Sequence, residues 1–275
     1  MRRFHRSRLV LALAALAAIM VTVPTTVASA SSPHRQPSPP KPTIVLVHGA
    51  WADGSSWTPV TKRLQHDGYT VLAPPNPLRG LASDAAYLDA FLHQHTTGPV
   101  ILVGHSYGGA VITNAAKSDP DIKALVYVDA FAPDEGESVL GLQGGGGDPN
   151  ALFDIVQYPG APAGDVDLYL KTALFPDLFA NGLPAPTTAA LAAAQRPITL
   201  SALSEPSGPA AWKALPSWYV VGTRDNILPP ALQLTMARRA GSHITEIPAP
   251  HLAMHAAPRT VEHVIETAVR ATAGA

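Results

Sequence analysis

A run of apolar residues, Val100-Ile101-Leu102-Val103, passes directly into Gly104-His105-Ser106-Tyr107-Gly108. Small and apolar residues at helical spacing follow, namely Ala110, Val111, Ala115 and Ala116. This order constrains the backbone more than any other stretch of the chain. The apolar run reads as a buried strand, and a helix must begin within a few residues of its end. The turn between them therefore centres on Ser106. Glycines two residues either side let the backbone pass where a Cβ would collide. Such a turn lifts the serine hydroxyl above the sheet edge and turns the Tyr107 N–H toward the space beside it. Gly-x-Ser-x-Gly alone is common, but between a strand and a helix it marks a nucleophilic serine.

The surrounding chain alternates in the same way. Strands are expected at Ile44–Val47, Thr70–Ala73, Ala124–Val128, Trp218–Val221 and His243–Ile247. Helices are expected over 56–68, 81–95, 230–240 and 258–271. Continuous apolar strands separated by helices of this length imply an α/β fold, a mainly parallel sheet covered on both faces. In such sheets ligands bind beyond the carboxyl ends of the strands. The rhythm breaks between Pro133 and Trp212, where prolines, the Gly144–Gly147 run and short helical pieces such as Ala189–Ala194 occur and no strand fits the main sheet. This segment, about 134–212, reads as a cap inserted over the site. Phe153, Tyr158, Leu168, Tyr169, Leu174, Phe175 and Phe179 are available to line a pocket or to form the cap's own core.

Residues 1–30 read as a signal peptide. Arg2, Arg3, Arg6 and Arg8 make a basic start, Leu9 to Val23 is apolar, and Ala28-Ser29-Ala30 is a small-x-small cleavage site, which predicts cleavage after Ala30 and secretion. The apolar run is shorter than the roughly 20 residues of a membrane span, so no stable membrane anchor is expected. Residues 31–42 (SSPHRQPSPPKP) form a proline-rich linker, and the catalytic domain is expected over 43–275. Four of the 19 basic residues and none of the 20 acidic ones lie in the first 30, so the remainder carries 15 basic against 20 acidic residues. That balance, without a basic block, argues against nucleic acid as a partner. Cys is absent, so no disulfide, thiol nucleophile or thiolate metal site is available.

A serine at neutral pH needs a base. His251, in Pro248-Ala249-Pro250-His251, follows the last strand by a short loop and precedes the last helix. An imidazole with an unperturbed pKa near 6.5 can take and return a proton near pH 7, so activity is expected to rise through about pH 6–7. An acid should orient that imidazole. Asp225 ends the penultimate strand after Gly222-Thr223-Arg224, giving the chain order Ser106, Asp225, His251. Asp129, at the end of the Ala124–Val128 strand, is a rival, and Asp225 is preferred on its spacing before the histidine strand. An oxyanion hole is expected from the backbone N–H groups of Tyr107 and Ala50, the latter in His48-Gly49-Ala50-Trp51 after the first strand. His48, His105 and His255 are read as structural. His251 and His255 lack a third ligand, so no zinc, and no metal or cofactor, is expected.

The HGAW loop, the GHSYGG elbow, GTRDNILPP and PAPHLAMH, in this order, resemble the α/β-hydrolase superfamily, most closely the branch of plant methyl esterases, hydroxynitrile lyases and small bacterial esterases. The resemblance covers the chain from Thr43 onward and only weakly the cap. It implies a sheet of about six parallel strands, a Ser106–Asp225–His251 triad, and oxyanion donors at Ala50 and Tyr107. The expected activity is carboxylesterase-like hydrolysis of small or medium uncharged esters through an acyl-enzyme on Ser106. One alternative is cyanohydrin cleavage. The resembling lyases carry a threonine where this chain has Gly49 and a lysine where it has Leu252, and both departures favour the esterase. The other alternative is a non-catalytic binding protein, which the complete triad disfavours.

Overall fold

The computed structural model describes residues 41–274 except 118 and 146; the expected signal peptide and all but the last two residues of the linker lie outside them. The first strand, β1 (Thr43–Val47), is apolar and buried from Ile44 onward. It pairs in parallel with β2 (Val71–Leu72) on one side and β3 (Val100–His105) on the other. Next come β4 (Ile122–Val128), β8 (Ser217–Gly222) and β9 (His243–Ile247), also parallel, in the order β2-β1-β3-β4-β8-β9. Every residue of β3 and β8 is buried, which is why these strands read as unbroken apolar runs. The fold is the α/β-hydrolase fold anticipated from the sequence.

The strand order fixes where the helices go. Strand β2 lies to one side of β1 and every later strand to the other, so the right-handed crossover rule puts the first helix on the face opposite the helices that cross between the later strands. That helix, α1 (Thr58–His66), packs against the last one, α11 (Pro258–Thr272), while α2 (Leu81–His95) packs against the elbow helix α3 (Tyr107–Ala115). The second helix buries Leu81, Ala85, Leu88 and Leu92, a single face at helical spacing. The first helix starts later than the expected Ser56. A 3₁₀ turn over Gly54–Trp57, capped by the Asp53 side chain, precedes it, and Pro59 sits in the first turn where its missing N–H costs nothing. Helix α9 (Pro230–Arg239) joins β8 to β9, and a short α10 (Ala253–Ala256) follows β9.

Between β4 and β8 the chain builds a separate layer. It contains α4 (Val139–Leu142), α5 (Pro149–Leu152), α6 (Phe175–Leu178), α7 (Ala185–Ala193) and α8 (Leu200–Ser204). It also contains a three-stranded antiparallel sheet, β5 (Phe153–Val156), β6 (Asp167–Leu170) and β7 (Ile198–Thr199). None of these strands joins the main sheet, as expected, but the small sheet itself is not apparent in the sequence. Phe175 and Phe179 are buried, Phe179 with its ring 5.1 Å from that of His251, whereas Phe153 and Leu168 line the main cavity. Tyr158 is tied to Asp165 by its hydroxyl. Among the described residues no helix is long and apolar enough to cross a membrane.

Candidate active site

Strands β1, β3, β4, β8 and β9 are parallel, so residues following them gather at one edge of the sheet. Ser106 follows β3, with backbone angles φ 51° and ψ −125°. A non-glycine residue held there stores roughly 1–3 kcal/mol of strain, and surrounding bonds must hold it in place. Here the Ser106 carbonyl accepts from the N–H groups of Gly109 (2.9 Å) and Phe131 (3.1 Å). The flanking glycines are required by close approach. A Cβ on Gly104 would lie 2.7 Å from the Gly108 carbonyl oxygen, and one on Gly108 would lie 2.5 Å from that of Val47.

Asp225 and His251, expected from the sequence as acid and base, lie together. His251 Nδ1 and Asp225 Oδ2 are 2.7 Å apart, and both side chains are fully buried. Asp225 is itself fixed: its Oδ1 accepts from the N–H groups of Ile227 and Leu228, each at 2.8 Å. Gln233, on α9, donates from Nε2 to Asp225 Oδ2 at 2.8 Å and to the Leu228 carbonyl at 2.9 Å. Gln233 was not singled out in the sequence. Its only signal there is a polar residue on the buried side of α9, and nothing local says which group it meets. With Nδ1 committed to the acid, His251 Nε2 is buried and has no hydrogen-bond partner. The Ser106–His251 hydrogen bond is not formed in this structure. Bonds of this kind often lengthen without substrate. The two segments are nonetheless in contact, since the His105 and His251 rings lie 4.7 Å apart and His105 Nε2 is 2.9 Å from the His251 carbonyl oxygen.

Asp129 is placed differently from Asp225. Its Oδ1 accepts from the Gly222 N–H (2.6 Å) and its Oδ2 from the Ala253 N–H (3.2 Å), so it ties the end of β8 to the segment after His251. Burial, and next the charge of Asp225, push its pKa well above the usual carboxylate range. Asp129 thus clamps backbone, while Asp225 holds the imidazole. The other histidines are also engaged. His48 Nε2 accepts from the Asn76 N–H, which leaves Nδ1 to donate to the Gly49 carbonyl, and burial pushes its pKa down to about 4. Burial, then the proximity of His251, lowers that of His105 well below the histidine range. Both are neutral at pH 7. No group of three or more His, Cys, Asp or Glu side chains among the described residues is arranged to hold a metal ion.

Tyr107 opens α3, so helix geometry gives its N–H no intrahelical acceptor. Among the described residues, neither its N–H nor that of Ala50 donates a hydrogen bond, and both residues line a cavity of about 730 Å³ together with Ser106. The walls of that cavity are mostly aliphatic, including Leu140, Leu152, Leu168, Leu203 and Ile227. A strained serine beside two unpaired N–H groups, with an acid–imidazole pair behind it, is a constellation suited to acyl transfer.

Residues 44–264 match the alpha/beta hydrolase family. The chain belongs to that family. A carbendazim-hydrolysing esterase of Nocardioides is 38% identical over 111 residues, 36% of this chain and 46% of that enzyme, so the matched stretch spans less than half of that relative. A pyrethroid hydrolase of Sphingobium wenxiniae is 26% identical over 244 residues, covering 81% of this chain and 85% of its own. Among solved structures, an extracellular alpha/beta-hydrolase from a Paenibacillus species superposes with a TM-score of 0.69 at 24% identity, over 82% of this chain and 98% of that one. That alpha/beta hydrolase shares the fold.

Proposed function

We propose that this alpha/beta hydrolase is a serine esterase acting on uncharged carboxylic esters. Ser106 Oγ attacks the ester carbonyl while its proton passes to His251 Nε2. Asp225 holds the imidazole and stabilises its charged form. The N–H groups of Ala50 and Tyr107 receive the developing oxyanion. The intermediate then collapses, the alcohol leaves with the proton from His251, and a water activated by the same imidazole releases the acid. The observation that carries this reading is the buried Asp225–His251 pair at 2.7 Å, with Nε2 left without a partner.

The cavity supports the substrate class. Its polar side chains other than Ser106 are engaged: Gln143 with the Ile227 carbonyl, Asp148 with the Asn150 N–H, Trp51 with the Leu168 carbonyl and Tyr107 with Asp84. Among the described residues no lysine or arginine lines it, so a substrate carboxylate would be desolvated without a partner. The relatives named for ester and pyrethroid hydrolysis favour the same class. Cyanohydrin cleavage is disfavoured at both departures from the lyases. A Cβ at Gly49 would sit 2.6 Å from that of Ser106, and Leu252 is buried. We further propose that residues 1–30 direct export; Ser31 at the N-terminus of secreted protein would support this, and retained Met1 would oppose it.

The test is a panel of p-nitrophenyl acetate, butyrate, octanoate and hemisuccinate, with mandelonitrile as a lyase control. The neutral esters should be hydrolysed, with kcat/KM for the hemisuccinate at least about tenfold lower than for butyrate. Cyanide release without ester hydrolysis would overturn the reading.

A further inference from the structure

The putting of Ala50 in place is not accounted for by the main sheet alone. The loop that carries it has two anchors. On the strand side, Asn76 Nδ2 donates to the His48 carbonyl (3.0 Å) and its backbone N–H donates to the His48 ring (2.9 Å). On the other side the anchor is Trp51, and its partners belong to the cap. The Trp51 backbone N–H donates to the Arg196 carbonyl at 3.0 Å, and the indole N–H donates to the Leu168 carbonyl, in β6, at 2.9 Å. The indole also stacks on Phe153 at 5.4 Å and meets the edge of Phe179 at 5.9 Å. Trp51 has φ 54°, an unfavourable conformation for a side chain of this size. Strain of this kind persists only where surrounding bonds over-determine it, and the four contacts that do so here all come from the cap.

We propose that Trp51 is a positioning residue through which the cap sets the oxyanion donor at Ala50. Docking of β6 and of the segment around Arg196 on the tryptophan holds the strained turn, and the turn presents the Ala50 N–H to the cavity beside Ser106. A displaced cap therefore loosens an oxyanion donor as well as opening a pocket wall. The inference rests on the esterase reading for its kinetic consequence, while the mechanical coupling can be read without any substrate.

Two variants of the full chain test it. Trp51→Phe keeps a ring for stacking but removes the indole donor. Pro197→Gly loosens, from the cap side, the segment whose carbonyl takes the Trp51 N–H. Each is assayed with p-nitrophenyl butyrate and with its thiono analogue, whose sulfur is a poorer hydrogen-bond acceptor and gains less from an oxyanion hole. Removal of one such donor costs about 10²–10³ in kcat, so its displacement should cost about tenfold or more. Both variants should lose that factor in kcat on the oxygen ester with KM within about twofold, and the preference for oxygen over sulfur ester should shrink alongside. Backbone hydrogen exchange in a peptide spanning residues 49–52 should accelerate while the melting temperature stays near wild type. Unchanged exchange in both variants would overturn the proposal, as would equal losses on the two esters. If the wild type hydrolyses no ester, the esterase reading fails by itself, and the exchange measurement still decides the coupling.

Discussion

At the scale of single residues, two buried aspartates hold the segment around His251 and do different things. Asp225 reaches His251 Nδ1, whereas Asp129 spends both oxygens on backbone N–H groups of Gly222 and Ala253. Asp225→Asn should therefore keep the fold and lower kcat by up to about 10⁴, the loss found when a triad acid can no longer set the histidine tautomer. Asp129→Asn should chiefly lower stability, by about 1–3 kcal/mol, because its oxygens satisfy buried donors. Kinetics and urea unfolding of the two variants would check this, and the reverse pattern would make Asp129 the catalytic acid. The pairing of Asp225 with His251 was legible because Asp225 follows the strand that precedes β9 and His251 follows β9. Gln233, which steadies the same carboxylate, was not legible, since its partner lies across a turn whose geometry no local pattern encodes. Trp51 was visible only as part of a loop motif, because its role depends on where the cap lies.

At the scale of elements, the strand–elbow–helix unit was readable and so was the insertion between β4 and β8, but the small sheet inside that insertion was not, and strand length explains the difference. Strand β3 has six consecutive buried residues leading into the elbow, so pattern and position reinforce each other. The cap strands β5, β6 and β7 have four, four and two residues, too few for an alternating pattern to stand out from a loop. The elbow also makes a sharp prediction about packing. A methyl at Gly108 would meet the backbone oxygens of Val47 and His48 at 2.5 and 2.9 Å, and neither atom can swing aside as a flexible side chain could. Gly108→Ala should cost about 3 kcal/mol, at the upper end of ordinary overpacking. Thermal unfolding within a degree or two of wild type would show that β1 and α3 can separate more easily than their packing implies.

For the described domain as a whole, buried neutral histidines make stability fall toward acid pH. His48 is fully buried and its pKa falls from 6.5 to about 4 on folding, and burial also lowers those of His105 and His255. The folded state then binds fewer protons than the unfolded state between those values. Stability from such a group is complete above about pH 6.5 and is lost as pH falls toward 4, at up to about 3 kcal/mol for His48 alone. Urea unfolding at pH 7.0, 5.5 and 4.5 should show a progressive decline, and a flat profile would mean that these rings are solvated. The cap fits the same account at this scale. It closes an aliphatic cavity over the strand ends and, through Arg79 to Asp167 and through Trp51 to Leu168, fastens itself to the loops that carry the site.

All of this depends on Ser106 being the nucleophile. The most direct measurement compares p-nitrophenyl butyrate hydrolysis by wild type and Ser106→Ala, with intact-mass analysis of wild type quenched during turnover. Hydrolysis should fall by about 10⁴ or more in the variant. The quenched wild type should carry a butyryl group on the peptide containing Ser106. Retained hydrolysis in Ser106→Ala, or an acyl group found on another residue, would contradict the account.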